Sequence, residues 1–211
     1  MKLAVFGATG RTGRRVVASA LSRGWEVRAL ARDPAKLGEF GGEERLEVVR
    51  GDVLDAAAVE RVVAGCEAVV SVLGHVKGSP KDVQTRGTQN IVRAMERTGV
   101  RRIVSLTGAG VRDSRDRPKL VDRVFAFLLA RLQKDVLEDG ERHVEVLRRS
   151  GLEWTVVRGP RLTEGERRGE YRVGYVGKES GTQISRADLA EFMLDQVSDT
   201  TYLRRMPVAS Y

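Results

Sequence analysis

A doubly wound parallel α/β sheet is the fold class predicted by this 211-residue sequence, and three observations point to it. Short apolar runs alternate with helix-period segments from end to end, and several are apolar throughout, as strands buried on both faces require. A glycine turn, "GATGRTG" (7–13), stands where the first strand gives way to the first helix. The length suits one sizeable domain and falls short of two.

The elements follow in order. "KLAVFG" (2–7) is the first strand, and a helix over 11–23 leaves the glycine turn. "EVRALAR" (26–32) is the second strand; Pro34 behind it fits the first turn of a short helix near 34–38, where a missing N–H costs nothing. "LEVVRGD" (46–52), "EAVVSVLG" (67–74), "RRIVSLTG" (101–108) and "EWTVVRG" (153–159) supply strands three to six. Helices over 55–64, 82–98 and 119–149 separate them, and the expected strand order is 3-2-1-4-5-6.

Residues 160–211 change character. "GEYRVGYVGK" has the alternation and glycines of a short strand or hairpin. In "SRADLAEFMLDQVSD", Ser185 is expected to cap a helix, with Asp188 three residues on in the manner of a capping box. Leu189, Phe192, Met193 and Val197 give that helix one apolar face. Residues 1–211 therefore read as a single dinucleotide-binding domain, with 160–211 as a small substrate-side extension over the carboxyl edge of the sheet.

Composition narrows the function classes. Hydrophobic content of 41% with 31% charge is that of an ordinary globular domain. The longest apolar stretch, "VFAFLLA" (124–130), is far too short for a bilayer, and no signal peptide is legible. A cytoplasmic protein without membrane attachment is expected. The single Cys66 cannot form an internal disulfide and has no His or Lys neighbour to acidify it, so an inert packed thiol is expected. A net charge of +8 and a pI near 10.0 raise nucleic acid as a partner. The arginine pairs at 14–15, 101–102, 148–149, 167–168 and 204–205 are scattered, however, and 5% aromatic content leaves little to stack on bases. The expectation is a small-molecule partner, with no nucleic acid and no metal, in a monomer or small homo-oligomer.

Gly7, Gly10 and Gly13 leave a strand and open a helix, so backbone N–H groups and the helix dipole point at a bound pyrophosphate. Thr9, Arg11 and Thr12 add side-chain donors. The end of the second strand selects the nucleotide, because a carboxylate there binds ribose hydroxyls whereas an arginine binds a 2′-phosphate. Here Arg32 comes first and Lys36 follows one turn later, which selects NADP(H) over NAD; a surface pair between Arg32 and Asp33 is the competing reading. Asp52 is positioned to accept from the adenine amino group or to cap the next helix. Val53 would cover the adenine ring, and Leu73 and Gly74 would lie on the adenosine side.

On these motifs the chain resembles the atypical short-chain dehydrogenase/reductases, closest to the NAD(P)H-binding branch of biliverdin-IXβ/flavin reductases and their NmrA-like relatives. The stretches that carry the resemblance are "FGATGRTG", "VRALARDPAKL", "GDVLDAAAVERVVAGCEAVVSVLG", "GTQNIVRAMERTGV", "VLRRSGLEWTVVRGPRL" and "ISRADLAEFML". The resemblance implies a Rossmann-type fold that binds NADPH and presents nicotinamide to an open apolar pocket. It places Gly7, Thr9, Gly10, Arg11, Thr12, Gly13, Arg32, Lys36, Asp52, Val53, Leu73 and Gly74 on the cofactor. It also puts Thr107 beside the nicotinamide, and Pro160, Arg161 and Leu162 on the loop that closes over it. The acceptors it implies are flavin, tetrapyrrole or quinone-like.

The departures matter as much. No tyrosine has a lysine four residues later, and the two places of a Tyr-x-x-x-Lys proton donor fall at Val136 and Gly140. Gly108 replaces a serine of the flavin-reductase relatives, and Arg161 replaces a histidine in their closing loop. Thr107 is left to orient nicotinamide or acceptor, and Arg161 to stabilise charge on the reduced product. Asp139 and His143, four apart on one helix, form a candidate carboxylate-oriented acid, weighed against a solvated charged face; His75 lies nearer the expected pocket. The reading is an NADPH-dependent oxidoreductase passing hydride to a flavin, quinone or similar conjugated acceptor. The alternative is a non-catalytic NADP(H)-binding redox sensor of the NmrA type.

Overall fold

A computed structural model describes residues 1–118 and 134–211. Its elements run β1 (Lys2–Phe6), α1 (Arg11–Ser22), β2 (Glu26–Ala31), a 3-10 segment (Pro34–Phe40), β3 (Leu46–Arg50), α2 (Ala56–Val63), β4 (Ala68–Ser71) and α3 (Val83–Thr98). Then follow β5 (Arg102–Gly108), α4 (Lys134–Arg149), β6 (Glu153–Gly159), β7 (Arg161–Thr163), β8 (Arg172–Gly174), β9 (Gln183–Ser185), α5 (Arg186–Ser198) and β10 (Val208–Ser210). The expected helix over 119–149 is present as α4; its first part, with "VFAFLLA" (124–130), lies outside the described residues.

The main sheet has the order β3-β2-β1-β4-β5-β6-β10-β8, so the expected 3-2-1-4-5-6 core stands with two strands added at one edge. Pairing is parallel from β3 through β10, and β8 alone runs antiparallel. Chain direction across the sheet reverses between β1 and β4, which opens a crevice at the carboxyl ends of those strands.

Period-two alternation puts both faces of the central strands to use. Leu3 and Val5 of β1 pack with Val16 and Val17 of α1 and Leu189 and Met193 of α5. Ala4 and Phe6 point the other way, into α2 (Val59, Val62), α3 (Ile91, Met95) and α4 (Val144, Leu147). All of these side chains are buried, and each large one contributes about 1.5–3 kcal/mol on leaving water.

Residues 160–211 divide between two tasks. The β7–β9 pair continues directly from the carboxyl end of β6, while β10 and β8 widen the main sheet and α5 covers it beside α1. The expected N-cap is present, since Ser185 Oγ accepts from the Asp188 N–H at 3.0 Å, but the box does not close, because the Ser185 N–H donates to the Tyr211 hydroxyl. Cys66 is buried, its thiol donating to the Val62 carbonyl, and burial pushes its pKa up. Among the described residues no helix is long and apolar enough to cross a membrane.

Candidate functional site

The site begins at the glycine turn. Gly7 has φ +80°, and a Cβ there would lie 2.6 Å from the Val72 carbonyl oxygen. A Cβ on Gly13 would be driven into the Gly7 carbonyl, so both positions hold a cradle that only glycine leaves open. The Gly10 N–H donates to Gly7 O, closing the turn at 3.0 Å. Gly10 is also the N-cap of α1 and supplies no side-chain acceptor, so the first-turn N–H groups are presented to an anion. Thr12 is buried within the turn, Thr9 is half-buried, and the residues present fit a dinucleotide pyrophosphate.

At the end of β2 the neighbouring carboxylate has been diverted. Asp33 caps the 3-10 segment, accepting from the Ala35 N–H at 3.2 Å. Arg32 and Lys36 are exposed and make no ion pair among the described residues, so the Arg32–Asp33 surface pair does not form. Asp52 accepts from the Leu54 N–H at 2.9 Å through one oxygen, and the cap of α2 is Asp55 instead. Val53 is buried against α3, where a Cβ on Gly87 would lie 2.9 Å from both Val53 and Leu73. Leu73 is half-buried beside the exposed Gly74.

At the ends of β5 and β6, Thr107 is 6% exposed, and its hydroxyl makes no hydrogen bond among the described residues. It faces α4 at Gly140, where a Cβ would lie 2.8 Å from Thr107 Oγ1 and 2.9 Å from Val111 Cγ2. Gly140, the expected place of a lysine, is therefore closed by packing, and Val136, the expected place of a tyrosine, is exposed. Pro160 and Leu162 are half-buried, and Leu162 would meet a Cβ on Gly159 at 3.1 Å. Arg161 is exposed with its backbone N–H on Thr182 O (3.1 Å), and its guanidinium has no partner among the described residues.

The two histidines exchange the roles expected of them. Asp139 and His143 share a helix face without bonding to each other. His143 is fully buried; its Nδ1 lies 3.2 Å from Gly140 O and its Nε2 2.9 Å from Ser105 Oγ. A carbonyl only accepts, so Nδ1 carries the proton and Nε2 accepts from Ser105. Burial lowers the His143 pKa to about 4, which fixes a neutral ring inside the molecule. The expectation of a carboxylate-oriented acid at His143 is thus corrected: the ring has neither the carboxylate nor access to solvent. Asp139 instead pairs with His75, whose Nε2 lies 2.8 Å from Asp139 Oδ2.

Several site residues carried no signal in the sequence. Gln84 Nε2 donates to Leu73 O (3.3 Å) and Leu106 O (2.8 Å), tying the ends of β4 and β5. Glu164 Oε1 accepts from Arg11 (3.1 Å) and Arg186 (2.7 Å), bringing the chain after β7 to the N-terminus of α1. Arg158, fully buried at the end of β6, holds Asp116 through two 2.8 Å bonds and so fixes the loop after β5. Only Asp188 was flagged, by its spacing from Ser185. It also accepts from the Arg168 and Gly169 N–H groups and from the Tyr211 hydroxyl.

Comparison with known proteins gives the family and the fold. A protein-family model described as NAD(P)H-binding matches residues 7–200. Cinnamoyl-CoA reductase 1 of Oryza sativa subsp. japonica is 40% identical over 114 residues, covering 50% of this chain and 34% of that protein. The match thus spans about a third of the rice protein's length. A short-chain dehydrogenase/reductase of Veillonella parvula, solved in complex with NADP, superposes with a TM-score of 0.83 at 20% identity, covering 100% of this chain and 94% of that one. ChuY, an anaerobillin reductase of Escherichia coli O157:H7, superposes with a TM-score of 0.83 at 17% identity, covering 100% and 97%. Both structures share the fold.

Proposed function

The chain belongs to the NAD(P)H-binding family, and on that premise we propose that it is an NADPH-dependent reductase of a conjugated acceptor such as a flavin, a quinone or a tetrapyrrole. The observation that carries the reading is the carboxyl edge around Thr107. Its hydroxyl, unbonded among the described residues, stands against Gly140, the expected place of the lysine in the proton-donating pair of a usual carbonyl reductase.

Bound NADPH supplies a hydride from its nicotinamide ring; the protein supplies position and charge. Gly7, Gly10 and Gly13, with the first turn of α1, Thr9, Arg11 and Thr12, hold the pyrophosphate. Arg32 and Lys36 would hold the 2′-phosphate. Asp52, Val53, Leu73 and Gly74 line the adenosine, and Pro160 and Leu162 cover the nicotinamide. Thr107 orients the reacting rings, and Arg161 stabilises the negative charge left on the reduced acceptor. A flavin in this reading is a substrate; the acceptor named for the ChuY reductase is instead an anaerobillin, which supports the tetrapyrrole choice.

The test is NADPH oxidation followed optically with FMN, FAD, riboflavin and small quinones. Turnover with at least one is expected. Tight NADPH binding with no turnover of any acceptor would favour a redox sensor, which the absence of a tyrosine–lysine pair equally suits.

A further inference from the structure

We propose that His75, held by Asp139, is the proton donor of this site; the inference rests on the reductase reading above. The pair is built rather than incidental. Asp139 is fully buried on α4 and its carboxylate cannot turn, because it accepts from the Gln84 N–H (2.9 Å), the Thr85 N–H (3.0 Å) and the Thr85 hydroxyl (2.5 Å). Two of these donors belong to the first turn of α3, where the helix dipole favours a negative charge. The remaining bond of Oδ2 goes to His75 Nε2 at 2.8 Å. A carboxylate so fixed sets the ring orientation and keeps the proton on Nε2, leaving Nδ1 as the working nitrogen. The His75 side chain is 18% exposed, so solvent can renew its proton.

Its position fits the task. His75 follows Leu73 at the carboxyl end of β4. Gln84, whose N–H anchors Asp139, bonds through its side chain to both Leu73 and Leu106, the residue before Thr107. Asp139 precedes Gly140, which packs on Thr107. Val76, the residue after His75, is one of the large exposed apolar side chains among the described residues.

The other candidates fail on chemistry. His143 is buried and neutral, burial pushes Tyr171 up to about 12, and the Tyr211 hydroxyl is committed to Asp188.

Two-electron reduction of a neutral quinone by hydride leaves a hydroquinone anion. The His75 Nδ1–H bond breaks, its electron pair stays on the ring, and the proton goes to the anionic oxygen. His75 is left neutral with Nε2–H still donated to Asp139, and solvent restores the proton on Nδ1. Among the described residues, the charged groups facing this ring are Asp139 and, beyond it, Asp135 with its partner Lys81 and neighbour Lys134.

The test compares wild type with His75→Gln, which keeps a donor for Asp139, using two acceptors. Menadione needs a proton as well as hydride; the methylene blue cation becomes neutral on accepting hydride alone. Menadione reduction should fall about 100-fold, the scale of general acid catalysis, with methylene blue reduction and NADP binding unchanged. Without any turnover, 15N chemical shifts of the wild-type imidazole should show neutral His75 protonated on Nε2.

Equal menadione rates in the two proteins, or neutral His75 protonated on Nδ1, would overturn the assignment and leave the reductase reading standing. Equal losses with both acceptors would overturn it in favour of a structural role. A wild type that binds NADPH and reduces neither acceptor overturns the reductase reading and this assignment with it.

Discussion

Arg32 and Asp33 are adjacent in sequence, and either charge could have governed the end of β2. The structure gives Asp33 to the cap of the next segment and leaves Arg32 exposed beside Lys36. A bidentate arginine–phosphate contact is worth about 1.5–3 kcal/mol. Arg32→Ala should therefore weaken NADPH roughly 10- to 100-fold in a fluorescence titration while leaving NADH almost unchanged; equal losses would remove the 2′-phosphate assignment. Glu164 makes a second prediction at this scale. Its carboxylate occupies Arg11 and Arg186 beside the phosphate cradle, so Glu164→Gln should free both cations and tighten both nucleotides several-fold by the same titration. Arg32 was legible because its place at a strand end has a chemical meaning. Glu164 was not, because its value comes from partners brought near only by the complete fold.

The helix α4 shows what periodicity conveys and what it omits. Its amphipathic pattern was readable, and so was the shared face of Asp139 and His143. What each meets was not: Asp139 meets the N-terminus of α3, and His143 meets Ser105 on β5. The difference has a pH signature. Burial lowers the folded-state pKa of His143 to about 4, below the usual 6.5 of the unfolded chain. The unfolded state therefore binds more protons between these values. The stabilisation is present above pH 6.5 and is lost as pH falls toward 4. From pH 7 to pH 5 this one residue should remove about 2 kcal/mol of stability, and urea midpoints should show that slope reduced in His143→Gln.

Across the whole molecule, the alternation of strands and helices was enough to specify the six-strand core and its order, because parallel strands buried on both faces need apolar runs and helical crossovers. At the added edge, β8 was legible as the short strand or hairpin of "GEYRVGYVGK", whereas the three-residue β10 carried too little pattern. Asp188 joins these late parts. It holds the 168–169 backbone, the cap of α5 and the terminal Tyr211 together. Burial alone would raise its carboxyl, but the Tyr211 hydroxyl, the Arg168 and Gly169 N–H groups and Ser185 outweigh burial and hold its pKa below the usual range. Its stabilisation is thus present above the ordinary aspartate range and is lost as pH falls through the lowered value. Asp188→Asn should cost about 1–3 kcal/mol and speed amide exchange across 164–170, as the charged acceptor for two N–H groups weakens. Unchanged exchange there would remove Asp188 as the anchor of that loop.

The most direct test of the central claim is anaerobic mixing of the protein and NADPH with menadione or FMN, followed at the nicotinamide absorbance. The account predicts catalytic loss of NADPH over many turnovers, much slower with NADH at equal concentration. Tight, stoichiometric NADPH binding with no oxidation in the presence of any flavin or quinone would contradict it.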